Sequence, residues 1–199
     1  MVITRDAYLA FLGMLALERG AELVVSSRHA RRLLARGGVE AGRRHYPLMV
    51  IFHVAFLLAC ALEAVLHPEP PPAIALLALA GAVAAQGLRW WSVAALGERW
   101  STRVIVLPEE PPVTRGPYRY LRHPNYLAIV LEMALVPLAF GSWRSAVAFS
   151  AGNATLLALR IRVEERALGD AWSRAFRGRP RLVVRPRRAQ PSATPGGTA

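Results

Sequence analysis

Arg115-Gly116-Pro117-Tyr118-Arg119-Tyr120-Leu121-Arg122-His123-Pro124-Asn125-Tyr126 runs directly into Leu127-Ala128-Ile129-Val130-Leu131-Glu132-Met133-Ala134-Leu135-Val136-Pro137-Leu138-Ala139-Phe140. Rings and guanidinium groups crowd the first part, whereas the second is apolar apart from Glu132. Proline at 124 suits the first turn of a helix, where its missing N–H would be unpaired in any case. The spacing therefore predicts a polar loop opening a membrane helix. Beyond a turn at Gly141-Ser142, a second apolar stretch ends in Arg160-Ile161-Arg162-Val163-Glu164-Glu165-Arg166-Ala167-Leu168, so the two stretches form a helical hairpin with a polar cluster at each open end.

Working outward, three more segments have the roughly 20 apolar residues needed to cross a bilayer. They are 7–25, interrupted by Glu18, Arg19 and Glu22; 47–66, which carries His53 and Glu63; and 73–96, which is rich in Ala and Gly and carries Arg89. With 124–140 and 143–161 they make five, and the expected fold is an all-α, polytopic integral membrane bundle ending in a cytoplasmic C-terminal helix. Small residues in the third segment favour close helix packing. Arginine placement orients the bundle: six lie in 26–46, five in 97–122 and ten in 160–188, against none in 67–72 and Arg144 alone at the hairpin turn. The positive-inside rule then puts the N-terminus outside and the C-terminus in the cytoplasm. Both polar clusters fall on the cytoplasmic side.

Composition agrees. Of 199 residues, 54% are hydrophobic and the mean hydropathy is +0.28, high for a soluble domain. All 25 basic residues are arginine, giving a net charge of +12. They lie between apolar segments and carry no nucleic-acid motif, so no nucleic-acid partner is expected. The single cysteine, Cys60, excludes an intrachain disulfide. His45, His53 and His123 match no metal-ligand spacing, so no metal is expected, and the first two read as packed or interfacial histidines. No cleavable signal peptide is evident, so the first apolar segment is expected to remain. Residues 1–188 read as one membrane domain and 189–199 as a disordered tail of Pro, Gly, Ser and Thr.

Several residues in these segments carry chemistry. Tyr118, Arg122, His123 and Tyr126 surround a helix N-terminus, which favours anionic groups. Tyrosine and arginine alone would suit an interfacial belt equally well, and Trp90, Trp91 and Trp100 are expected to belong to one. Arg160 and Glu164 lie four apart and so share a helix face, where they are expected to pair. Glu165 points about 100° away, free to accept hydrogen bonds such as those of ribose hydroxyls. Glu18, Glu63, Arg89 and Glu132 lie in or near apolar spans, where ionisable groups pair or face a polar cavity. Glu132, two turns from the polar mouth, is the expected substrate-side residue.

The string from Gly116 to Tyr126, followed by Glu164-Glu165-x-x-Leu168, resembles the isoprenylcysteine carboxyl methyltransferase family. Glu18-Arg19, Glu22-Leu23, Gly37-Gly38-Val39-Glu40 and His45-Tyr46-Pro47 look like a bacterial branch of that family. The resemblance implies a helical enzyme of the bacterial cytoplasmic membrane that binds S-adenosylmethionine and takes a lipophilic acceptor from the bilayer. By the same resemblance Tyr118, Arg122, His123, Pro124, Tyr126 and Glu165 hold the cofactor, while Arg160 and Glu164 shape its junction with the acceptor. Ala128 stands where the family usually has glycine, and Trp172 and Phe176 stand for its usual aromatic pair. The preferred acceptor is an alkylated phenolic or pyrone lipid, ahead of a prenylcysteine-type carboxylate and then phospholipid N-methylation. A nicotinamide-dependent membrane reductase and a non-catalytic lipid-binding protein are the rival classes.

Overall fold

A computed structural model describes residues 4–66, 73–108 and 110–182. The tail expected over 189–199 lies outside the described residues. Five long helices coincide with the five apolar segments: α1 (Arg5–Ala35), α2 (Tyr46–Leu66), α3 (Ala75–Leu96), α4 (Pro124–Leu138) and α5 (Trp143–Ala175). Two short strands, β1 (Val39–Ala41) and β2 (Val104–Val106), pair antiparallel with Glu40 opposite Ile105. Two helices, α2 with the turn before it and α5, are long and apolar enough among the described residues to cross a membrane. At 15 residues, α4 is about 22 Å long, less than the roughly 30 Å hydrocarbon core.

The expected loop over 26–46 begins later than predicted. Helix α1 is capped by the Thr4 hydroxyl and runs on to Ala35, because Ala, Leu and Arg are good helix formers and no Gly or Pro lies between Gly20 and Gly37. Gly37, at φ +82°, supplies the left-handed conformation that ends it. Likewise α5 continues past Ile161 and breaks only at Gly169, whose φ of +67° and ψ of −163° are non-helical.

Packing follows residue size. The buried stripe Ala75, Ala78, Ala82, Ala85 brings α3 close to α4, and a Cβ at Gly81 would lie 2.7 Å from Leu135. Tyr8 stacks on Phe140 at 4.6 Å, joining α1 to the α4–α5 turn over a core that includes Phe56, Cys60, Met133 and Val136. Glu63 has a structural partner: its carboxylate accepts the Arg144 N–H at 3.1 Å, the Ser145 N–H at 2.8 Å and the Ser145 hydroxyl at 2.6 Å. It thus caps the N-terminus of α5 from another helix, where the helix dipole favours an anion.

Candidate functional site

The polar motif folds as a 3₁₀ turn over Gly116–Arg119 and then enters α4 at Pro124. Gly116 takes φ +59°, and a Cβ there would lie 2.7 Å from that of Ala95, so the turn demands glycine. Residues 179–181 run alongside in irregular chain. The Pro180 carbonyl accepts the Arg122 N–H at 2.9 Å and the Arg181 carbonyl accepts the His123 N–H at 3.1 Å. Arg122 Nε donates to the Arg179 carbonyl at 2.7 Å, and Arg179 donates to that of Tyr118 at 2.8 Å. His123 stacks between Tyr126, at 5.3 Å, and Trp172, at 5.4 Å. Phe176 extends this ring cluster at 4.8 Å from Trp172.

Two sequence expectations are corrected here. Glu165 is not free: Arg181 grips both its oxygens, at 2.9 and 2.6 Å, and His123 Nε2 lies 3.2 Å from one of them. Partial burial pushes this carboxyl up, but the hydrogen bonds and charges of Arg181 and His123 outweigh burial and hold it below the usual carboxylate range. Nor do Arg160 and Glu164 pair directly. The Tyr126 hydroxyl joins them, accepting from Arg160 Nε at 2.8 Å and donating to Glu164. The other Arg160 nitrogens reach the Thr102 carbonyl at 2.5 Å and the Met49 sulfur at 3.2 Å. Thr102 is in turn held by the hydroxyls of Ser26 and Tyr46, at 2.7 and 3.1 Å.

Two cavities meet at this junction. One, of about 410 Å³, is mostly apolar and lies among α1, α2 and the start of α4, with Met49, His53 and Leu57 on its wall. The other, of about 350 Å³, is lined by β2, the loop after it and the polar end of α5, including Arg122, Asp170 and Trp172. Tyr118, Tyr126, Arg160 and Glu164 line both. Burial first, and then the charge of Glu164, push the Tyr118 phenol above its ordinary range, so it stays protonated.

Of the other predicted residues, His123 lines the apolar cavity, and Pro124 is buried in the first turn of α4. Glu132 is buried behind the cavity wall, 3.7 Å from Arg19, which does line it. Arg19 and Arg89 both bind Glu22, Arg89 through two nitrogens at 2.8 and 2.6 Å, so the charges of the apolar spans are paired across α1, α3 and α4. Trp90 and Trp91 are exposed as a belt requires, but Trp100 is buried against His29 and lines the apolar cavity. Thr102, Met49, Asp170 and Arg181 escaped sequence reasoning, because each acts through a contact distant in sequence or through its backbone.

A model of the isoprenylcysteine carboxyl methyltransferase family matches residues 76–170. An uncharacterized Bacillus subtilis protein, YpbQ, is 34% identical over 159 residues, 80% of this chain and 95% of its own length. An uncharacterized Haemophilus influenzae protein is 29% identical over 154 residues, 77% of this chain and 90% of its own length.

Proposed function

The chain belongs to the isoprenylcysteine carboxyl methyltransferase family, and from that premise we propose an integral membrane O-methyltransferase that uses S-adenosylmethionine. Its acceptor is a lipid with a hydroxyl on a phenolic or pyrone ring. The observation that carries this reading is the shared wall of Tyr118, Tyr126, Arg160 and Glu164 between a loop-side cavity and an apolar one. A reaction between a polar cofactor and a greasy acceptor needs such a wall, because holding both partners in line replaces much of the chemical assistance.

The loop-side residues suit the cofactor. The Tyr118, Tyr126 and Trp172 rings and the Glu164 carboxylate favour a cation, Arg122 a carboxylate, and Asp170 hydroxyl donors. Asp170 takes the place assigned from sequence to Glu165, which with His123 and Arg181 holds the motif loop. When bound, the cofactor supplies a methyl group activated by cationic sulfur. Arg160 and Tyr126 orient the accepting oxygen, and the apolar wall excludes water.

Arg160 spends three of its five N–H donors on Tyr126, Thr102 and Met49, and the two that remain can direct an accepting oxygen. The five apolar helices form a bundle with both cavities facing the cytoplasmic side.

The test is methyl transfer from radiolabelled S-adenosylmethionine by the detergent-purified protein. The acceptors are long-chain alkylresorcinols, alkylpyrones, farnesylcysteine derivatives and phosphatidylethanolamine. A labelled ether from a phenol or pyrone, lost in Glu164→Gln, is the expected result. A base-labile methyl ester, or label confined to the phospholipid, overturns the choice of acceptor. Absence of transfer together with absence of cofactor binding overturns the enzyme reading.

A further inference from the structure

A phenolic hydroxyl, with a pKa of about 10, must lose its proton as it gains a methyl group, and an apolar cavity offers little water to take it. In the Tyr126–Arg160–Glu164 junction one Glu164 oxygen is committed to the Tyr126 hydroxyl and Arg160 has only donors. A neutral imidazole on the cavity wall is suited to take the proton.

His53 is that group by position and tautomer. It lies on the face of α2 that lines the cavity, with Tyr46, Met49, Val50 and Leu57, one helical turn beyond Met49. Met49 itself touches Arg160 at 3.2 Å, and His53 follows it on the same face after a rise of about 6 Å along α2. Its Nδ1 lies 2.8 Å from the Met49 carbonyl oxygen, which can only accept, so Nδ1 carries the proton of the neutral ring. Nε2 therefore keeps its lone pair, and no described residue bonds to it.

An ion-pair cluster on and behind the cavity wall carries a net negative charge. Glu18, Glu22 and Glu132 are three carboxylates set against two guanidinium groups, Arg19 and Arg89, which leaves one negative charge in excess. Of the charges close enough to act on the imidazole, Glu132 attracts a proton there while Arg89 and Arg19 repel it. An uncompensated charge is costly at this depth, and an imidazolium at His53 cancels it.

We propose that His53 is the proton acceptor of the reaction, taking the hydroxyl proton of the acceptor lipid at Nε2 during transfer from the sulfonium methyl donor. The O–H bond breaks with its electrons staying on oxygen, and an N–H bond forms at Nε2. An O–CH3 bond replaces the S–CH3 bond, whose electron pair remains on sulfur, so the positive charge lost from the sulfonium appears on the imidazolium. Glu132 then acts through His53 by stabilising that charge, which gives this buried carboxylate a role although it does not line the cavity.

The assignment rests on the phenol-methylating reading, and the test separates the two. His53→Asn keeps an amide donor near the Met49 carbonyl and removes the Nε2 lone pair. Turnover of the variant is measured on alkylphenols of graded acidity. An about 100-fold loss on the least acidic phenol, shrinking towards wild-type turnover as acidity rises, is expected. Without any methyl donor, wild-type protein should also bind an alkylated nitrophenol with the absorbance of the phenolate, and His53→Asn should bind it as the phenol. An equal loss for every phenol, or an unchanged phenolate signal, overturns the His53 assignment alone. Wild-type protein inert towards every alkylphenol overturns the reading beneath it. If His53→Asn fails to fold, His53→Gln serves the same comparison, and full activity of either variant is decisive against the proposal.

Discussion

Tyr126 holds the junction together at the scale of single residues. Its ring stacks on His123, and its hydroxyl is the bridge between Arg160 and Glu164. Tyr126→Phe keeps the ring and removes the bridge, leaving a buried guanidinium and a carboxylate without their common partner. A hydrogen bond to a charged group is worth about 1.5–3 kcal/mol, so methyl transfer should fall roughly 10- to 100-fold and the melting temperature should fall as well. Wild-type turnover in this variant would remove Tyr126 from the mechanism. Glu165 and Arg181 carry a pH dependence of determined sign. A carboxyl whose folded pKa is lowered stabilises the fold above its unfolded pKa and loses that contribution as the pH falls through the lowered value. Arg181→Gln removes the first of the groups that lower it. The docking of residues 179–181, followed by limited proteolysis across an acid series, should then fail at a higher pH than in wild type. Identical acid profiles would mean that Arg181 does not hold Glu165.

Among the elements, the turn over Gly116–Arg119 sets the geometry of the site, because it aims Tyr118 between the two cavities. Gly116→Ala would combine a left-handed backbone with a Cβ pressed on Ala95, strain of about 1–3 kcal/mol. A lowered melting temperature together with weaker cofactor binding is the expected outcome, measured in detergent with and without S-adenosylmethionine. An unchanged melt would show that the α3 contact relaxes freely. Helix α2 makes the complementary contribution. Its cavity face carries Met49 and His53 four residues apart, so a single helix contacts Arg160 and presents an imidazole deeper along the same wall.

The whole molecule presents an apolar exterior that water would not tolerate. Leu17, Ile51, Leu58, Leu77 and Val147 are all more than 60% exposed, as lipid-facing side chains are. The protein should therefore stay in the membrane pellet through alkaline and high-salt washes and leave it only with detergent. Release by salt would reduce the attachment to the electrostatics of its arginines. The arginine-rich loops predict a cytoplasmic C-terminus, so the expected pattern is fluorescence of a C-terminal fusion that matures only in the cytoplasm, paired with an N-terminal phosphatase that works only outside. The reverse pattern would invert the bundle and place the cofactor cavity on the wrong side.

Local patterns alone determined the helices and the membership in a family. Apolar runs of membrane length, Pro124 at a helix start and Gly141 in a tight turn are properties of neighbouring residues, and all were legible in the sequence. So was the gathering of the 115–126 and 160–168 segments at one end of a hairpin. Helix ends were less legible, since charged residues such as Arg31 and Arg32 mark the edge of an apolar run but do not stop a helix; Gly37 does. Only the tertiary structure decided the partners. Glu165 turns to Arg181, Arg160 meets Glu164 through Tyr126, Glu63 caps α5, and the two cavities share one wall. Each of these links positions far apart in the chain, and polar groups shut away from water bind whatever complementary group the packing brings within about 3 Å, which no local pattern specifies.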